Sequence, residues 1–299
     1  MADRIPAHSS TMDKPNGDQH ERIVAVLREA LPYINRLQKK MLVLKLGGST
    51  LERDRDVLED AIWLQRVGAL PVIVHGGGPS ITQWLERIGH QSRFVDGRRV
   101  TDAVTLQAAQ MVLIGEVNTS LVQQIAQLGG KAIGLSGVSG PCIYARQRDP
   151  ELGAVGEIVR VDPSPITLLL QHGYIPVMAP LSYGEQGECL NVNADESAAA
   201  IASALGADKL IYLSNVTGIQ AADGTLFSEL TASQARDLIA QGVIQGGMIP
   251  KTEAALQALG TVNRVHIVDG RVPHVLIREL FTDQGAGTMF TPDEVILQR

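Results

Sequence analysis

The residues best suited to chemistry in this chain are two lysines, one aspartate and three glycine clusters, each at a junction between apolar runs and turns. Lys45 lies in the run Met41 to Leu46, just ahead of Gly47 and Gly48. Paired glycines leave backbone N–H groups unobstructed, and a lysine beside bare amides suits an anion such as phosphate. A lysine whose stem lies along an apolar strand before an ordinary turn fits the same stretch equally well. Leu70 to Val74 then repeats the idea, opening into His75-Gly76-Gly77-Gly78-Pro79-Ser80 ahead of a helical pattern from Ile81 to Ile88. Glycines at a helix N-terminus cradle anions. The residue order is neither that of a Walker P-loop nor GxGxxG. Two cradles ending consecutive strands nevertheless point to a phosphorylated or carboxylated ligand.

Further along, Asn191-Val192-Asn193-Ala194-Asp195-Glu196 opens an alanine-rich helical run. Asp195 stands where an N-cap or first-turn carboxylate belongs. The preceding asparagines look unnecessary for a cap, and they offer side-chain amides to a polar ligand. Gly246-Gly247 precedes Lys251 at the start of another helix, where the macrodipole disfavours a cation; an anion sharing that site would explain the placement. Arg98 and Arg99 sit in a turn from Phe94 to Asp102. Adjacent arginines point apart, so at most one should face a ligand, where a bidentate grip on a carboxylate is its natural task. A solvated surface arginine is the plain alternative for each.

These residues need a scaffold that brings strand ends together. Residues 1–18 are polar and unpatterned, which predicts a disordered tail. Residues 19–40 predict an amphipathic helix, kinked at Pro32 and placed to pair with another subunit. From residue 41 onward, strand, glycine turn and helix alternate. Helices are expected over Val57 to Val67, Asp102 to Leu113, Asn118 to Leu128, Pro165 to His172, Ser233 to Gln241 and His274 to Leu280. Ile143 to Val161 reads as an antiparallel hairpin at one edge. The repetition predicts an α/β protein, a three-layer α/β/α sandwich with a mainly parallel open sheet.

Composition narrows the class. The 299 residues are 44% hydrophobic and 19% charged, as in ordinary globular enzymes. A net charge of −6 gives no support for nucleic-acid or acidic-membrane binding. Two cysteines, Cys142 and Cys189, do not suggest a disulfide scaffold, and no apolar run reaches membrane-spanning length. A cytoplasmic protein is expected, one that handles anions with local amides and a few placed cations.

KLGGS at Lys45 to Ser49, VHGGGPSI at Val74 to Ile81, GRRVTD at Gly97 to Asp102, NVNADE at Asn191 to Glu196 and GGMIPK at Gly246 to Lys251, in this order, resemble the amino acid kinase family. The resemblance covers about Glu21 to Phe290 and is strongest to the branch that phosphorylates N-acetyl-L-glutamate in arginine biosynthesis. It implies transfer from ATP, with Mg²⁺ on the nucleotide phosphates and few direct protein ligands, to the side-chain carboxylate of N-acetyl-L-glutamate. By the resemblance, Lys45 and Lys251 are the transition-state lysines and Asp195 holds both. Gly77, Gly78, Arg99 and Asn191 would meet the acyl acceptor; Gly47, Gly48, Asn215, Gly218 and Gly247 would meet the nucleotide. An N-lobe of about 41–190 would bind acceptor and dimerise, and a C-lobe of about 191–299 would bind ATP.

The N-terminal helix and the segment from His266 to Met289 resemble those of the arginine-inhibited, hexameric branch. That likeness implies an L-arginine site at Tyr33, His266, Glu279 and Gly287, a homohexamer built as a trimer of dimers, and a PII-type signalling protein as a partner of some relatives. The chain departs from the family pattern at Val138-Ser139, where a Lys-Asp pair is usual, at Glu116, where lysine is usual, and at Asn215, where aspartate is common. These departures bear on nucleotide contacts. They leave open a kinase for a related N-blocked acceptor of the aminoadipate type, or a catalytically weak arginine-binding regulatory subunit.

Overall fold

The computed structural model describes residues 17–47, 55–95, 97–221, 223–282 and 285–293. The expected tail lies outside these except for residues 17 and 18, which already belong to the first helix, Gly17–Leu37. That helix continues through Pro32. Gly48 also lies outside the described residues.

An eight-stranded sheet organises the chain. Its order is Glu229–Thr231, Gly287–Thr291, Arg264–Asp269, Lys209–Ser214, Met41–Leu46, Leu70–His75, Ile175–Ala179, Ala132–Ser136. Every neighbouring pair is parallel except Arg264–Asp269 with Gly287–Thr291. Strand period decides what each face holds. Leu42, Leu44 and Leu46 enter one core with Ile73, Ile211 and Leu213, while Val43, Val72, Val74, Leu210 and Tyr212 enter the other. Helices cover both faces, so the central strands read as apolar runs rather than alternating ones. Lys45 falls on the Val43 and Tyr212 side. Among the described residues, no helix is long and apolar enough to cross a membrane.

Four elements differ from the sequence expectation. The hairpin Ile143–Gln147 with Gly156–Val161 is antiparallel as expected, yet it belongs to a separate four-stranded sheet completed by Leu181–Gly184 and Cys189–Asn191. Those two strands are short, and Gly184 and Gly187 hide their alternation. The Phe94 to Asp102 turn is a small hairpin of Phe94–Val95 and Arg98–Arg99. Glu229–Thr231 and Gly287–Thr291 pair at the sheet edge, too short and polar to announce themselves. Lastly, the two helices expected around Leu113 and Asn118 are one: Ala103–Gln110 runs into a π-helical stretch, Met111–Asn118, and on into Thr119–Gln127. The residue pattern shows one run to Leu113 and another from Asn118, and between them the chain widens its turn instead of breaking. Of Thr101 and Asp102, the two residues that precede this helix, Asp102 is the cap, accepting from Thr105 N at 2.8 Å.

Candidate active site

Lys45, Asp195 and Lys251 come from three distant parts of the sequence and meet at the carboxyl end of the central strands. Lys45 Nζ lies 2.7 Å from Asp195 Oδ1, and Lys251 Nζ lies 2.9 Å from Asp195 Oδ2. Both lysines are buried, 7% and 8% exposed. A buried ammonium is tolerated only beside an anion, and one carboxylate serves two of them here. The trio therefore carries one net positive charge, which an incoming phosphoryl group can neutralise.

Local structure explains why Asp195 is available. Asn193 is the N-cap of the helix Ala194–Leu205, and its side chain accepts from Asp195 N at 2.8 Å and Glu196 N at 3.1 Å. This corrects the expectation that the asparagines are not needed for capping. With Asn193 capping, Asp195 stays in the first turn, where the macrodipole favours its charge, and its side chain is free for the lysines. Burial raises the Asp195 carboxyl, but Lys45 and Lys251 outweigh it and hold the group below the usual carboxylate range. Burial lowers Lys251, with Asp195 opposing that and Lys45 adding to it. Lys251 occupies the first turn of the helix Met248–Ala258. The anion that its awkward position called for is supplied, at least in part, by the protein itself. Beneath the trio lies Tyr212, fully buried; its hydroxyl donates to Asp195 O at 3.1 Å and its ring faces Lys251 Nζ at 5.1 Å.

The glycine cradle follows the strand Leu70–His75. Gly76 N donates to Leu46 O at 3.1 Å, tying the cradle to the Lys45 strand, and Gly77 caps the helix Gly78–Arg87. A side chain on Gly77 would collide with Leu113 Cδ2. Arg99 borders the cradle: its Nη2 donates to Gly78 O at 2.9 Å and to Thr82 Oγ1 at 2.7 Å, and the guanidinium stacks over Phe94 at 4.7 Å. Arg98 points elsewhere, bridging to Glu196 at 2.8 Å, so the two arginines diverge as expected. Arg148 takes the other oxygen of Glu196 at 2.7 Å and ties the four-stranded sheet to the Asp195 helix. Asn191 joins the Arg99 strand through Thr101, whose Oγ1 it meets at 3.2 Å.

Of the residues expected around the nucleotide, Asn215 is exposed just past the strand Lys209–Ser214, and Gly247 is exposed ahead of the Lys251 helix. Gly218, at φ 144°, has a packing reason for its identity: a side chain there would strike Thr288, whose hydroxyl accepts from Ile219 N at 2.8 Å. Val138 packs on the core and Ser139 bonds Ser136 across a turn, Oγ to Oγ at 2.9 Å, so neither departure disturbs the strand end.

A second site lies apart from the first. A cavity of about 1180 Å³ is lined by Tyr33, His266, Glu279 and Gly287 together, with Arg36 and Lys209 beside them. Glu279 is nearly buried; its Oε1 accepts from His266 Nδ1 at 2.6 Å, and Lys209 Nζ sits 3.3 Å from His266 Nε2. Burial raises the Glu279 carboxyl, but the hydrogen bond and charge of His266 outweigh this and hold it low. Burial, with Lys209 and Arg264 nearby, lowers the His266 imidazole. Tyr33 anchors the first helix by stacking on Phe281 at 5.7 Å, and Phe281 packs on Trp63 at 5.1 Å.

Sequence reasoning gave His75 and Asn118 no role, although both are buried beside the cradle. Their signal was a histidine inside an apolar strand end and an asparagine in an apolar helical run.

Residues 40–269 match the sequence profile of the amino acid kinase family. An acetylglutamate kinase of Pelotomaculum thermopropionicum is 49% identical over 284 residues, covering 89% of this chain and 96% of that relative. One from Jannaschia sp. (strain CCS1) is 49% identical over 267 residues, covering 88% of this chain and 94% of that relative. Among solved structures, N-acetylglutamate synthase from Neisseria gonorrhoeae complexed with coenzyme A and N-acetyl-glutamate superposes with a TM-score of 0.80 at 29% identity, covering 91% of this chain. The chain spans 64% of that longer protein. The same synthase has been solved with coenzyme A and L-arginine, at a TM-score of 0.77.

Proposed function

Because the chain belongs to the amino acid kinase family, we propose that the Lys45, Asp195 and Lys251 cluster transfers the terminal phosphoryl group of ATP to the side-chain carboxylate of N-acetyl-L-glutamate, the committed chemistry of an acetylglutamate kinase. The observation that carries this reading is the doubly paired carboxylate. An oxygen of the acceptor carboxylate attacks the γ-phosphorus, the bond to the β,γ-bridging oxygen breaks, and ADP leaves with that electron pair. The product is the acyl phosphate N-acetyl-L-glutamyl 5-phosphate. A carboxylate is already a nucleophile at neutral pH, so the site needs no general base; it needs position and positive charge. Lys45 and Lys251 supply that charge from two sides, and Asp195 keeps both ammonium groups fixed before the substrates arrive.

Arg99, anchored at the cradle rim, and Asn191 would hold the acceptor, while amides of Gly47, Gly48, Gly77 and Gly78 would meet phosphate and substrate oxygens. Asn215, Gly218 and Gly247 would border the nucleotide. Both oxygens of Asp195 are taken by lysines, which fits Mg²⁺ that arrives on the nucleotide phosphates and neutralises their charge. The lobes meet along this line, residues of about 41–190 serving the acceptor and those of about 191–299 the nucleotide.

The second cavity supports feedback inhibition by L-arginine, with Glu279 accepting the guanidinium. The first helix supports assembly into a hexamer: Ile23, Val24, Val26, Leu27 and Leu31 are all about half or more exposed, an apolar stripe suited to a second copy of itself. The deciding experiment mixes MgATP with N-acetyl-L-glutamate and traps acyl phosphate as hydroxamate, with and without L-arginine. Product that falls as arginine rises supports both readings. Product indifferent to arginine removes the regulatory site, and no product from folded protein removes the kinase reading.

A further inference from the structure

The cradle owes its shape to a buried pair behind it. His75 is fully buried, and its Nδ1 lies 2.7 Å from the carbonyl oxygen of Gly76, the next residue. Its other nitrogen, Nε2, faces Asn118 Nδ2 at 3.0 Å. Asn118 Nδ2 also lies 2.8 Å from Val177 O on the neighbouring strand. Val177 O can only accept, as can Leu135 O at 3.5 Å, so it is the amide NH₂ that lies here, and its second hydrogen points to His75 Nε2. Asn118 Oδ1 is packed against Gly134, where a side chain would collide with it. The amide orientation is therefore fixed, and it fixes the imidazole in turn. Nε2 must accept, so Nδ1 carries the proton and donates it to Gly76 O.

This matters because a peptide unit is planar and trans. With the Gly76 carbonyl turned onto the His75 ring, the N–H of Gly77 in the same peptide unit must point away from that ring. Glycine backbones at this point would otherwise sample many orientations. Two further observations fit. The π-helical stretch ends on Asn118, widening the turn that carries this side chain inward. Burial, helped by the Lys45 charge, pushes the imidazole down to about 4, so it stays neutral across physiological pH.

We propose that His75 and Asn118 are positioning residues for the phosphoryl transfer: Asn118 selects the Nδ1–H tautomer of His75, and His75 holds the Gly76–Gly77 peptide with its N–H turned to the transferring group. This rests on the kinase reading above. Neither side chain touches substrate; both act through the Gly77 amide.

Asparagine places its Nδ2 where histidine places Nδ1, whereas leucine fills the space without a donor. His75→Asn should therefore keep kcat within about fivefold, while His75→Leu and Asn118→Leu should lower it about 10–100-fold, short of losing an oxyanion donor outright. KM for MgATP should change little in all three. In the unmodified protein with ¹⁵N-labelled histidine, NMR should show a neutral Nδ1–H imidazole that persists from pH 8 to pH 5 and is the resonance missing from His75→Asn. His75→Leu folded and active at the unmodified kcat would overturn the proposal, as would His75→Asn damaged as badly as His75→Leu. Observation of the Nε2–H tautomer at His75 overturns it without any variant, and independently of whether the acceptor has been named correctly.

Discussion

Lys45 stands opposite Tyr212 in the parallel register of the two central strands. The two side chains share a sheet face, which places the lysine over the helices that carry Asp195 and Lys251. A slip of one residue would turn Lys45 into the other core and leave Asp195 with a single partner. The site is thus specified by strand register as much as by residue type.

Removing Lys251 should cost turnover rather than fold. Lys251→Ala leaves Asp195 paired with Lys45 and removes one of two charges on the transferring group, so kcat should fall about 10²–10³-fold with a near-native circular dichroism spectrum. Unchanged turnover in the folded variant would exclude Lys251 from the chemistry.

Asp195→Asn should be harsher on stability. It leaves two buried ammonium groups without their anion, a loss of about 3–5 kcal/mol by analogy with broken buried pairs. Urea denaturation measures it, and a loss below about 1 kcal/mol would mean that water already solvates the lysines.

Acid should expose the cost of keeping His75 neutral. An unfolded imidazole takes its proton near pH 6.5, whereas buried His75 does so only at about 4. Between those values the unfolded chain binds a proton that the native state does not, so stability declines as pH falls through that window. From pH 7 to pH 5 this amounts to about 2 kcal/mol. His266, also lowered by burial, contributes in the same direction and remains in a variant. His75→Asn should therefore flatten the decline by about 2 kcal/mol, as read from urea midpoints at the two pH values. Identical declines would show that His75 is protonated in the native state.

Glu279→Gln removes the charge facing Lys209 and His266 in the second cavity. The arginine concentration giving half inhibition should rise about tenfold or more, the value of a charge-assisted hydrogen bond. Unaltered sensitivity would place the inhibitor elsewhere.

Leu27→Arg puts a charge in the middle of the exposed apolar stripe on the first helix. Light scattering should then report a smaller assembly than for the unmodified chain. An unchanged mass would show that this helix does not hold copies together.

Much of this was legible from residue types alone. Apolar runs ending in glycine gave the parallel sheet, because a strand buried on both faces has no polar face to show. Arg98 and Arg99 had to diverge because neighbours in an extended strand point to opposite sides, and Thr101 or Asp102 was placed to cap because both precede a helical pattern, the structure choosing Asp102. The edge strands Glu229–Thr231 and Gly287–Thr291 were not legible: they are held by partners far away in sequence, and their own composition is that of loops. The π-helical stretch was hidden for a related reason, since no local residue pattern marks a widened turn unless the surrounding packing is known.

The sequence by itself determined which chemical groups exist and which local shapes they favour: a lysine beside bare amides, a carboxylate in a first turn, glycines where amides must be open. Only the tertiary structure decided that one carboxylate serves both lysines, that Asn193 rather than Asp195 caps the helix, and that His75 and Asn118 stand behind the cradle. The reason is physical. Local preference acts over a few residues, while an ion pair or a tautomer is settled by whichever group the sheet register and helix packing bring within 3 Å, however distant it is along the chain.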